Sequence, residues 1–121
     1  MKWIRSIMAI TAALGVIAFS VPSDADLIQR AGKLTFLRVH DVGTGWGPPS
    51  DFIDVEVVVR LNSAPSQAYG FQLRDDENRV ARQAMLDLLR DAFVNNITVR
   101  IDYDIDPGNN NGIIFRVALE K

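Results

Sequence analysis

The chain has 121 residues, 48% hydrophobic and 23% charged, with a formal net charge of −2. That is the length of one ordinary domain, and it carries no bulk basic field to recruit nucleic acid. The absence of Cys excludes thiol chemistry and zinc-ribbon sites, and a single His excludes metal sites built on two or three histidines.

The N-terminus reads as an export address. Lys2 and Arg5 precede an uncharged run from Ile7 to Val21, and Ser23-Asp24-Ala25 puts small residues where a signal peptidase cuts. These are the parts of a secretory signal over residues 1–25. The apolar run is shorter than the roughly 20 residues of a bilayer span. Cleavage is expected after Ala25, with Ser20 and Ser23 as alternatives and an uncleaved anchor as the competing reading. Removing Lys2, Arg5 and Asp24 leaves 11 basic and 14 acidic residues. The remainder, 26–121, is expected to be one secreted or periplasmic domain with no stable membrane insertion.

Asp26 to Gly32 reads as a lead-in, with Leu27 and Ile28 in one helical turn. A long, bent strand follows from Gly32 to Asp41, apolar on both faces. Val42 to Ser50 holds three Gly and a Pro pair, so it is a loop. Asp51 to Leu61 alternates: Ile53, Val55, Val57, Val59 and Leu61 share one face, and Asp54, Glu56, Val58 and Arg60 the other. After a turn over Asn62–Gln67, Ala68 to Leu73 returns with Tyr69, Phe71 and Leu73 on one side.

The period then changes to that of a helix, expected from about Glu77 to Val94. Asp75 or Asp76 can cap its start, and Asn95-Asn96 suits its end. Val80, Ala81, Ala84, Met85, Leu88 and Ala92 form its apolar arc. Leu86, Leu89 and Phe93 widen that arc beyond what one small core needs. The surplus makes those three the candidate oligomer interface; cover by the N-terminal segment or by internal packing is the alternative. Ile97–Asp106 and Ile113–Glu120 form a hairpin around Pro107–Gly112. Its expected register sets Asp104 opposite Arg116 and Arg100 opposite Glu120 outside, with Tyr103 against Val117 and Ile105 against Phe115 inside.

The order β-β-β-α-β-β fits a mainly β, five-stranded OB-fold-like Greek-key barrel. An open α+β sheet with one helix is the alternative. The passages Met85–Phe93, Ile97–Tyr103 and Gly112–Leu119 are similar in style to the helix and strands of bacterial enterotoxin B-subunits. That resemblance implies a ring-forming homo-oligomer, a pentamer, which binds cell-surface glycans. The family's usual disulfide has no counterpart in a chain without Cys.

Trp46 is the only Trp after residue 25 and stands among small residues in a Pro-bounded loop. An indole there offers an apolar platform and one N–H donor, as sugar rings and protein partners require. Trp46, Asp41, Thr44 and His40 are therefore the candidate ligand-binding residues, and a glycan or a surface protein the expected ligand. Asp102, Asp104 and Asp106 share a face by strand alternation; an EF-hand reading fails at Pro107 and Ile113. His40 and Asp41 are neighbours on a strand and point apart, so they form no dyad. Gly43-Thr44-Gly45-Trp46-Gly47 lacks the ending of a phosphate loop. No catalytic constellation, metal site or cofactor is expected. Tyr69, Phe71, Tyr103 and Phe115 lie on apolar faces, so nucleic-acid stacking is not expected either. The competing function is a periplasmic structural or accessory protein that docks a partner through its helix.

Overall fold

The computed structural model describes residues 26–121; the signal peptide expected over 1–25 lies outside them. Six strands and one long helix follow in the order β1 (Ile28–Gly32), β2 (Leu34–Val39), β3 (Val57–Leu61), β4 (Ala64–Phe71), α1 (Arg79–Asn95), β5 (Thr98–Asp104) and β6 (Gly112–Glu120). They form one mixed sheet in the order β1-β5-β6-β4-β3-β2. All neighbours are antiparallel except β4 and β6. The domain is thus mainly β with one helix. Among the described residues no helix is long and apolar enough to cross a membrane.

The expected helical turn at Leu27–Ile28 is replaced by β1, which pairs with β5 from Ile28 opposite Tyr103 to Gly32 opposite Val99. β1 and β2 occupy opposite edges of the sheet, yet Lys33 alone separates them. The β3–β4 turn stitches this junction. Asn62 N donates to Lys33 O at 2.9 Å, Lys33 N to Asn62 Oδ1 at 3.0 Å, and Ser63 Oγ to Ala31 O at 2.7 Å. A Cβ on Gly32 would come within 2.6 Å of Ser63 Oγ, so only glycine permits this approach.

The main core lies on one side of the sheet. Val57, Val59, Leu61, Tyr69, Phe71, Val99, Ile101 and Tyr103 pack there with Leu89 and Ala92 of α1. The Tyr69 and Tyr103 rings meet edge-on, 4.7 Å between centroids. The alternation expected for β3 and β4 therefore holds from Val57 onward. It breaks before Val57: Ile53 and Val55 join Val58 and Ala68 in a second cluster. The cause is a bend at Glu56, whose buried carboxylate receives both Arg74 Nε and an Arg74 terminal nitrogen at 2.9 Å, and Leu73 N at 3.0 Å.

α1 also differs in detail. Asn78 is its N-cap, without a side-chain cap bond. Asp76 instead accepts from Asn78 N at 2.9 Å, closing the turn before the helix. Asn96 ends α1 in the left-handed conformation, φ 56°, with its N–H on Ala92 O. Met85, Leu86 and Leu89 pack on the core with Ala92, whereas Val80, Ala81 and Ala84 of the expected arc are exposed, Val80 by 84%.

The β5–β6 register lies two residues from the expected one: Ile101 opposes Val117 and Asp102 opposes Arg116. A shift of two preserves which side chains share a face. Arg100 still pairs with Glu120, and Arg116 meets Asp102 at 3.4 Å rather than Asp104. Beyond Asp102 the pattern breaks. Tyr103 opposes Ile114, so Phe115 is the extra, unpaired residue of a β-bulge. Ile114 is buried in the core position expected of Phe115, which is 40% exposed.

Candidate functional site

The chain from His40 to Glu56 lies across the side of the sheet opposite the main core. Val58 and Ala68 supply the sheet's part of the second cluster, and Ile53 and Val55 of the loop cover them, with Phe36, Trp46 and Ile113 alongside. Gly70 makes room: a Cβ there would lie 2.5 Å from Val57 O and 2.6 Å from Val55 Cγ2.

Hydrogen bonds rather than regular structure fix this loop. Thr44 Oγ1 donates to Asp41 O at 2.8 Å and closes a turn through Gly43, φ 94°. Trp46 and Ile53 exchange backbone bonds at 2.9 and 2.8 Å. Asp51, in a short 3-10 turn (Pro49–Asp51), reaches across to the β5–β6 turn. Its Oδ1 accepts Asn110 N at 2.7 Å and Asn111 N at 2.8 Å, and its carbonyl accepts Asn111 Nδ2 at 2.9 Å. Asn111 Oδ1 in turn accepts Ala68 N at 3.0 Å. The Asn109-Asn110-Asn111 run, read from sequence as an ordinary turn, is a clamp between two loops and β4.

The expected ligand residues separate in this frame. Asp41 and Thr44 are exposed, with the Thr44 hydroxyl spent on its own turn. His40 is half-buried; its Nε2 lies 2.7 Å from Val55 O, and its Nδ1 is buried without a partner. Trp46 is half-buried too, not freely exposed. Its ring packs on Phe36, 5.4 Å between centroids, and two guanidiniums approach it: Arg38 at 5.7 Å and Arg60 at 5.5 Å from its centroid. Arg60 also lies 5.8 Å from the Phe36 ring. These are cation–π distances.

Arg38 and Arg60 escaped the sequence reading. They become neighbours only through the β2–β3 register, in which Phe36 opposes Arg60 and Arg38 opposes Val58. Among the described residues neither has an acidic partner, and the Arg60 Nε is buried without an acceptor. Arg74, Arg82, Arg90, Arg100 and Arg116 by contrast each face a carboxylate, Arg74 both Asp54 and Glu56.

The three residues expected at an oligomer interface also separate. Leu89 is fully buried inside the domain and so is not free for a partner, while Leu86 is half-buried against the same core. Phe93 is 45% exposed. Asp102 is engaged by Arg116, and among the described residues no three metal-ligating side chains gather.

No known family model, curated protein or solved structure matches this chain. The chemistry of the Trp46 cluster must therefore be read from its own residues. Two permanently charged guanidiniums beside an indole supply donors for a carboxylate, sulfate or phosphate and an apolar surface for the body that carries it.

Proposed function

We propose that this chain is a secreted or periplasmic, non-enzymatic binding module of OB-fold type, which recognises an acidic group on a glycan or surface protein through Trp46, Arg38 and Arg60. The observation that carries this reading is two guanidiniums converging on one indole with no acidic partner among the described residues, on a chain whose net charge is −2. Like charges at one ring repel, and an acidic ligand group beside them relieves that repulsion. The strand order supports the barrel: with β1 and β2 taken as one bent strand, both sheet edges belong to it, and β4 meets β6 in parallel, as a five-stranded Greek key requires. The enterotoxin resemblance supports a homo-oligomer of five copies.

The test is binding of the exported chain to carboxylated and sulfated saccharides, with their neutral counterparts as controls. Charge-assisted hydrogen bonds contribute about 1.5–3 kcal/mol each, so Arg38→Gln with Arg60→Gln should weaken binding about tenfold or more. These variants leave the apolar packing of Trp46 in place, which Trp46→Ala does not. Equal affinity of variant and parent overturns the site. The exposure of Phe93 favours a second reading, docking of a partner through α1. Under it, Phe93→Glu disrupts assembly while the arginine variants change nothing.

A further inference from the structure

A second recess adjoins the apolar cluster beneath Trp46, sharing Ile53, Val55 and Ile113 with it but none of Trp46, Arg38 and Arg60. It has a volume of about 410 Å³, within the range of small-ligand sites. Ile53, Val55 and Ile113 are among its apolar lining, and Phe52 and Phe115 are its two aromatic residues. Both Phe side chains are large apolar groups left in solvent, 43% and 40% exposed. Both are also held in place. Phe52 packs onto Gly45, φ 57°, where a Cβ would strike its ring at 2.1 Å. Phe115 is directed outward by the bulge in β6, a device that re-aims side chains beside binding sites.

The polar residues of the recess set its ligand. Asp54 is bonded to Arg74 at 2.8 Å, and Arg82 is drawn toward Asp76 at 3.8 Å. Asp106, exposed, has no ion-pair partner among the described residues, so the recess keeps an excess negative charge in a lining that also holds two aromatic residues. A purely apolar ligand would strip water from that carboxylate without replacing it. An anion would face it directly. A cation on an aliphatic stem satisfies both features, with its charge on Asp106 and its stem against the rings.

We propose that this recess binds a basic side chain, presented with an apolar neighbour on a peptide segment of a partner protein. The inference goes beyond the Trp46 reading, which concerns anions at other residues.

The test follows backbone amide shifts of the exported chain during titration with a blocked Leu-Arg-Leu tripeptide. The same peptide with citrulline in place of Arg keeps the stem and removes the charge. Saturable shifts at Phe52, Asp106 and Phe115, at least tenfold weaker with citrulline and with Asp106→Asn, are the expected result. The Asp106 side chain anchors nothing in the fold, so Asp106→Asn tests binding without testing folding; Phe115→Ala should also abolish the shifts. Arg38→Gln with Arg60→Gln should leave them unchanged, which separates this site from the first. No shifts, or equal shifts with citrulline, overturn the proposal. Blocked arginine amide binding as tightly as the tripeptide would overturn the peptide assignment and make the recess a small-cation site.

Discussion

The two sides of the sheet are covered in different ways. On one, α1 packs against β2, β5 and β6 and adds Leu89 and Ala92 to the core that holds Val57, Val59, Tyr69 and Phe71, and apolar contact makes the bulk of the packing. On the other, an irregular loop covers Val58 and Ala68, and its position depends on side chains that bond to backbone, such as Asp51 to Asn110 and Asn111. The first side is built for stability. The second trades regular packing for a surface on which unpaired charges and exposed rings can be held in place, and both proposed sites lie there.

The largest expected effect should fall on the first side. Leu89→Ala removes a fully buried side chain from beneath the helix and should cost about 2–5 kcal/mol. Urea unfolding followed by far-ultraviolet circular dichroism measures it as a lower midpoint with unchanged slope. A loss under about 1 kcal/mol would mean that α1 is not the main cover of the core.

A smaller and more local effect is expected on the second side. Asp51→Ala leaves the Asn110 and Asn111 amides without their acceptor, at a cost of about 1–3 kcal/mol. Amide exchange should quicken at Asn110, Asn111 and Trp46 while the Leu89 and Ile101 amides stay protected. Uniform quickening would show that the two sides open together and would erase the distinction drawn between them.

This contrast also explains what could be read from the sequence. Period-two alternation placed Val57, Val59, Leu61, Tyr69 and Phe71 on one face, because a strand against a core has no other way to bury them. The same rule assigned Ile53 and Val55 to that face and missed the bend at Glu56, which depends on Arg74, eighteen positions away. It placed Phe115 inside, since a bulge leaves no mark in the pattern. Trp46 stood out because it is alone in a Gly- and Pro-rich loop. Its partners Arg38 and Arg60 did not, because only strand register brings them together.

The first side also holds a contribution that is invisible at neutral pH. Tyr69 is fully buried, its hydroxyl donating to Gln67 Oε1 at 2.8 Å. Burial, reinforced by the neighbouring Tyr103, pushes its pKa from 10.0 up to about 12. The fold favours the neutral phenol, so this contribution is fully present below the unfolded value near 10. It is lost as pH rises through about 12. Absorbance at 295 nm during alkaline titration should therefore show a phenolate step near pH 12 that Tyr69→Phe removes. A Tyr69-dependent step near pH 10 in the folded chain would mean that water reaches the hydroxyl. The apolar side of the sheet would then be as open at its edge as the loop-covered side, and the comparison would fail at one of the largest fully buried side chains.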